Sequence, residues 1–288
     1  MEANTLYKDL MFTVLRIVTT DENGHGDGNR GTCVMVDLEL TPETTTPVLV
    51  TNKHVVERAG EISLHVQTRN IHGNVILGDT VPVKITLEGD RFFSPQGGDV
   101  DIAIIPFGQV LLNFKDQYPD REPFWRCLPV SEFPSNDEYA SLDALEEVFF
   151  IGHPDGRWDK VNRTPIFRRG ITATPAILNW EGRSEFLIDA SVFPGSSGSP
   201  VFVSRTTTFL QNSKLIKEQL AIFAGLVTES HHRKHDFEVL ELPYEIEESI
   251  DLGVVTNVTA IKRALDSYCE YANQPKPKFR DSALGASK

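Results

Sequence analysis

The sequence predicts an all-β protein: two β units in tandem, closed by one α-helix. Three observations point there. Short apolar runs rich in Val, Ile, Thr and Phe recur along most of the chain between clusters of Gly, Pro, Asp and Asn, the pattern of strands separated by turns. Residues 111–140 break that pattern with Pro, acidic and aromatic residues in no clear period, as a linker crossing between two units does. Residues 260–268 then read as a final helix, with Asn257 or Thr259 in position to cap it.

At 288 residues the chain is long enough for one large β domain or two smaller barrels with a shared interface. Its apolar content of 40% is that of a globular protein. Lys and Arg number 28 against 41 Asp and Glu, a net charge of −13 that argues against nucleic acid as the main partner. Cys33, Cys127 and Cys269 are too few and too widely spaced for a disulfide framework or a zinc pattern. The first residues carry charge where a signal peptide needs an unbroken apolar core, and no later run is apolar enough to span a bilayer. The expectation is a soluble, cytoplasmic chain of a reducing compartment, with no membrane partner and no cofactor or metal.

Taken in order, residues 12–20 are β-branched and alternating, so they form the first strand. Residues 21–31 are a glycine-rich loop, and residues 32–38 and 47–51 are strands on either side of a polar loop. Residues 62–67, 75–77, 81–87 and 101–105 complete the first unit, which spans 1–110. Beyond the linker, residues 147–151, 164–168, 170–174, 186–189, 200–203, 220–228 and 252–255 are the strands of the second unit, 141–272 with its helix. The acidic stretch 229–250 is expected to be a solvated loop, and His231, His232 and His235 within it sit between charged flanks rather than in a metal site. Residues 273–288 are expected to be a flexible tail.

Chemistry concentrates in residues 186–202, where two apolar runs flank a turn of Gly195, Ser196, Ser197, Gly198 and Ser199 closed by Pro200. A nucleophilic hydroxyl needs exposure, a neighbouring base and backbone N–H groups aimed at one point, and a sharp glycine turn can supply the last of these. A base is available in His54, at the end of the apolar strand 49–56. A carboxylate is available in Asp99 or Asp101, where the apolar strand 101–105 begins. A carboxylate buried there is costly unless a group such as a histidine N–H accepts its charge.

The order His, Asp, Ser is that of chymotrypsin and differs from those of subtilisin and the α/β-hydrolases. With these motifs the chain resembles a trypsin-like serine peptidase, most similar to the HtrA-type branch. The likeness rests on residues 51–56 for the histidine motif, 101–104 for the aspartate motif, 151–154 for an Ile-Gly-Asn-Pro-like turn, and 186–203 for the nucleophile segment. The resemblance implies two antiparallel six-stranded β-barrels and a C-terminal helix. It implies that Ser197 is the nucleophile, ahead of Ser196 and Ser199, because the reactive serine precedes the second glycine. It implies that His54 is the general base, and that Asp101, ahead of Asp99, orients it. The N–H groups of Gly195 and Ser197 are the implied oxyanion hole, and a protein or peptide is the implied substrate.

Departures from the family pattern matter too. Ser196 stands where trypsin has the aspartate that pairs with a newly cut N-terminus, so activation by such a cut is not expected. Ser199 replaces a glycine. Ser191, at the base of the primary pocket, does not support a preference for Lys or Arg. Val192, Val227 and Thr228 are the other expected substrate-binding residues, favouring an uncharged side chain. Too few residues follow the helix for a PDZ domain, so substrate choice is expected to come from the loops or a separate partner. Because a free triad in a reducing compartment endangers other proteins, control by a regulatory protein partner, by oligomeric state or by a loop rearrangement is expected.

Overall fold

Six antiparallel strands form the body of the first unit: β1 (Val14–Thr20), β2 (Arg30–Thr41), β3 (Thr44–Thr51), β4 (Glu61–Arg69), β5 (Val75–Thr86) and β6 (Ala103–Pro106), in the order β5-β4-β1-β2-β3-β6. They are seen in a computed structural model that describes residues 1, 5–21, 29–41, 43–87, 91–96, 100–211, 214–239 and 242–280. The rival acid Asp99 lies outside the described residues. Successive strand side chains point to opposite faces. Cys33, Met35 and Leu49 therefore fill the first unit, while Val34, Val36, Val48 and Val50 turn outward. The outward set is buried as well, in one apolar cluster with Phe150, Phe202, Phe223 and Leu226 of the second unit. That double burial explains why β2 and β3 read as continuous apolar runs, each buried aliphatic side chain contributing about 1.5–3 kcal/mol.

The second unit is a closed barrel of β9 (Glu147–Gly152), β10 (Ile166–Thr172), β11 (Glu185–Asp189), β12 (Pro200–Gln211), β13 (Lys214–Val239) and β14 (Leu242–Asn257), once the elements between the two units are counted. It is followed by helix α5 (Val258–Tyr271), counted after four shorter helices: α1 (Leu6–Met11), α2 (Lys53–Val56), α3 (Gly108–Gln117) and α4 (Asn136–Ala140). The fold is thus the predicted all-β, chymotrypsin-like two-unit architecture with a terminal helix. Asn257 caps that helix, its side-chain oxygen accepting from the Ala260 N–H at 3.0 Å.

Three stretches differ from expectation. Residues 111–140 carry structure of their own: most of α3, then β7 (Glu122–Phe124) paired with β4, β8 (Leu128–Pro129) parallel to β2, and α4. A capping box of Ser135 and Glu138 starts α4, a signal present in the sequence. Residues 229–250 are not a loop, because β13 and β14 continue as an antiparallel ribbon. In register Arg233 stands opposite Glu248, Lys234 opposite Glu247 and Phe237 opposite Tyr244. The side chains of His231, His232 and His235 lie outside the described residues. The chain after α5 is laid back on the protein as far as Arg280, with Phe279 against Phe133 at 5.9 Å and Arg280 bonded to Glu138 at 3.0 Å. Among the described residues no helix is long and apolar enough to cross a membrane.

Candidate active site

The pairing of β3 with β6 sets Thr51 opposite Ala103, so the chain leaving β3 meets the chain entering β6 at one end of the first sheet. His54 sits just beyond Thr51 in α2, and Asp101 just before β6. The two residues make two hydrogen bonds. The His54 backbone N–H donates to Asp101 Oδ1 at 2.9 Å, and the imidazole Nδ1 contacts Asp101 Oδ2. Asn52, fully buried, steadies the same corner by donating from Nδ2 to the Asp101 carbonyl at 2.9 Å. Burial disfavours the charged imidazole of His54, but the hydrogen bond and charge of Asp101 outweigh it. Glu57 and Glu229 add to the effect, and the pKa rises above the ordinary histidine value. Burial likewise opposes ionisation of Asp101, yet its bonds to His54 hold its carboxyl below the usual range.

Ser197 lies on the turn between β11 and β12, partly exposed. Phe193 to Ser196 form a turn closed by the Ser196 N–H donating to Phe193 O at 3.0 Å, with Pro194 at the second position and Gly195 at φ +87°. Such a type II turn requires positive φ at its third residue. Gly198, at φ +84°, passes so near β2 that an added Cβ would lie 1.9 Å from the Thr32 carbonyl oxygen. Among the described residues neither the Gly195 N–H nor the Ser197 N–H has an acceptor. The Pro194 carbonyl, on the same planar peptide as the Gly195 N–H, accepts from the Asp155 N–H at 2.5 Å, so the Gly195 N–H faces the opposite way.

The Ser197 hydroxyl donates to the Thr228 carbonyl at 3.1 Å, and among the described residues it has no hydrogen bond to His54. Of the expected substrate-binding residues, Val192 and Val227 are core residues with 3% and 0% exposure, which leaves them little surface for a ligand, because Val192 packs over Gly253 and both join the apolar cluster. Thr228 enters through its carbonyl rather than its side chain, and Ser191 is partly exposed. The hydroxyls of Ser196 and Ser199 are buried with no hydrogen-bond partner among the described residues.

Sequence reasoning passed over Thr32, Asn52, Thr51 and Asp155, each of which holds a site segment in place. Thr51 and Asn52 lie in the histidine motif 51–56, where the sequence gives them no role of their own, and Thr32 and Asp155 belong to no motif; only the folded chain brings each to its partner. The three cysteines are free thiols, and burial pushes Cys33 and Cys127 up to about 12 and Cys269 up to about 11, so none supplies a thiolate. Among the described residues no cluster of His, Cys, Asp and Glu could hold a metal ion. A cleft of about 950 Å³ on the outside of the second barrel, lined by Tyr7, Phe149, Phe167 and Arg168, contains none of the site residues.

A family model described as a trypsin-like peptidase domain matches residues 31–208, a stretch containing His54, Asp101 and Ser197. No curated protein sequence matches the chain. Solved structures that resemble it include the thermostable serine protease AL20 from an extremophilic microorganism, with 9% identity, 88% of this chain and 95% of that one covered, and a TM-score of 0.46. Protease Anisep from Arthrobacter nicotinovorans has 11% identity, coverage of 90% and 96%, and a TM-score of 0.49. A scabies mite inactivated protease paralogue has 13% identity, coverage of 92% and 96%, and a TM-score of 0.44.

Proposed function

The chain belongs to the trypsin-like peptidase family, and on that membership we propose that it is a serine endopeptidase working through His54, Asp101 and Ser197, most similar to the HtrA-type branch. The observation that carries this reading is the double hydrogen bond between His54 and Asp101, together with a serine turn whose Gly195 and Ser197 N–H groups have no acceptor among the described residues.

The steps follow from the residues. Ser197 Oγ swings from the Thr228 carbonyl toward His54 Nε2, gives up its proton there and attacks the scissile carbonyl carbon. Asp101 keeps Nδ1 protonated and stabilises the imidazolium. The new oxyanion binds the N–H groups of Gly195 and Ser197, each worth about 3–4 kcal/mol in such sites. The carbon–nitrogen bond breaks as His54 protonates the leaving amine. Water then attacks the acyl-enzyme with His54 again as base, releasing the acid and restoring Ser197.

Substrates are proteins or peptides, and Ser191, uncharged at the base of the pocket, supports an uncharged side chain before the scissile bond. The resting Ser197–Thr228 hydrogen bond supports control of activity by a partner, by oligomeric state or by loop rearrangement. A fluorophosphonate probe tests the proposal. Wild-type protein labels at Ser197 and Ser197→Ala does not. Absence of both labelling and peptide cleavage in the wild type, with or without candidate activators, overturns it.

A further inference from the structure

Thr32 is wholly buried in β2, in the first unit, yet three of its hydrogen bonds reach the second. Its backbone N–H donates to the Ser197 carbonyl at 2.9 Å. Its hydroxyl donates to the Gly195 carbonyl at 3.2 Å and accepts from the His153 N–H at 3.0 Å. Its carbonyl accepts from the Thr51 hydroxyl at 2.7 Å. The direction of the hydroxyl is not free. A backbone N–H can only donate, so His153 occupies a lone pair of Oγ1, and the one hydroxyl proton goes to Gly195.

We infer that Thr32 is a positioning residue for the oxyanion-binding turn, holding the peptide that joins the two N–H donors. The inference rests on the serine peptidase reading above. Each peptide of the turn is planar, so a pinned carbonyl fixes the N–H on its far side. Asp155 pins the Pro194 carbonyl and thereby the Gly195 N–H. The Ser199 N–H pins the Ser196 carbonyl, at 2.9 Å, and thereby the Ser197 N–H. Between these two lies the Gly195–Ser196 peptide, whose carbonyl is held by the Thr32 hydroxyl. Gly195, lacking a Cβ, offers little resistance to rotation of that peptide. Release of the Gly195 carbonyl leaves that peptide held only through the Ser196 N–H on the Phe193 carbonyl, and loosens the common aim of the two N–H groups.

Thr32 also ties this turn to the base. Thr51, whose hydroxyl it accepts, ends β3 just before His54. The position of the histidine strand and the shape of the serine turn therefore meet at one residue.

The test compares Thr32→Val, which keeps the shape and loses both hydroxyl bonds, with Thr32→Ser, which keeps both. Peptide hydrolysis by Thr32→Val is expected to lose about 10- to 100-fold in kcat with KM changed little, since the donors act on the transition state. Thr32→Ser is expected to recover to within about 3-fold of wild type. A peptide boronate or aldehyde, which forms a tetrahedral adduct with the serine, is expected to bind Thr32→Val more weakly in the same proportion as kcat. Equal kcat in wild type and Thr32→Val, or failure of Thr32→Ser to rescue, overturns the inference. Should Thr32→Val not fold, Thr51→Val carries the test. It is expected to lower kcat without raising KM, and unchanged kcat overturns the inference. A wild type that neither labels nor cleaves is a separate outcome, and overturns the peptidase reading on which the inference stands.

Discussion

Asp101 holds His54 by two of that residue's own groups, the imidazole Nδ1 on one carboxylate oxygen and the backbone N–H, at 2.9 Å, on the other. One carboxylate thereby orients the ring and anchors the start of the helix that carries it. In Asp101→Asn the amide oxygen can still take the backbone N–H, which leaves the amide NH₂ facing Nδ1. The imidazole then carries its proton on Nε2 and cannot accept one from Ser197. The expected loss in kcat is about 10⁴-fold, with an unchanged circular dichroism spectrum. A loss under about 10-fold would show that Asp101 is not the orienting acid.

The raised pKa of His54 predicts the acid limb of activity. The imidazole must be neutral to act as base, so kcat/KM, which reports the free enzyme, falls with decreasing pH from a midpoint above the ordinary histidine value. Glu57 and Glu229 contribute to the rise, so Glu229→Gln is expected to move the midpoint to lower pH. The same pair makes a stability prediction. The raised His54 pKa stabilises the fold fully below the unfolded histidine value, and that part is lost as pH rises through the folded value. The lowered Asp101 pKa stabilises above the unfolded carboxylate value, and that part is lost as pH falls through the folded value. The melting-temperature deficit of Asp101→Asn is therefore expected to be largest between about pH 4 and 6.5. A deficit independent of pH would rule out the linkage.

Gly195 is at φ +87°, and a Cβ there would lie 2.8 Å from the His153 carbonyl and 2.9 Å from the Gly156 nitrogen. Both atoms are backbone in the turn that also holds the Pro194 carbonyl. Gly195→Ala is expected to lower stability by about 1–3 kcal/mol and to abolish fluorophosphonate labelling while Ser197 is still present. Labelling at the wild-type rate would show that this turn does not shape the site.

His153 is fully buried, and burial pushes its pKa down to about 3. The folded protein keeps it neutral, whereas the unfolded chain binds a proton below about pH 6.5. Between those values stability falls as pH falls, by up to about 1.4 kcal/mol per pH unit from this residue. His153→Gln is expected to flatten that limb in chemical denaturation measured from pH 7 to pH 4. An identical slope would place the acid sensitivity elsewhere.

Local pattern alone determined a good deal. Most strands of both units, a helix cap at Asn257 or Thr259, His54, and the short sets Asp99 or Asp101 and Ser196, Ser197 or Ser199 could be read, because alternation, capping and glycine turns are written over a few neighbouring residues. The family resemblance then chose Asp101, Ser197 and Gly195. Other features depended on which segments meet in space. The short strands β7 and β8 exist because residues of the expected linker lie along β4 and β2. The ribbon of β13 and β14 exists because residues 229–239 and 242–250 pair with each other rather than with solvent. Thr32 and Asp155 carry no motif; the hydrogen bonds of Thr32 to the serine turn arise only where the first unit packs on the second, and that of Asp155 only where the chain after β9 lies against the turn. The present partner of the Ser197 hydroxyl, the Thr228 carbonyl, was likewise a matter of tertiary structure. A sequence specifies which residues carry chemistry and which backbone shapes they need, whereas the aim of a hydroxyl or a peptide N–H is set by whatever acceptor the packed units bring within about 3 Å of it.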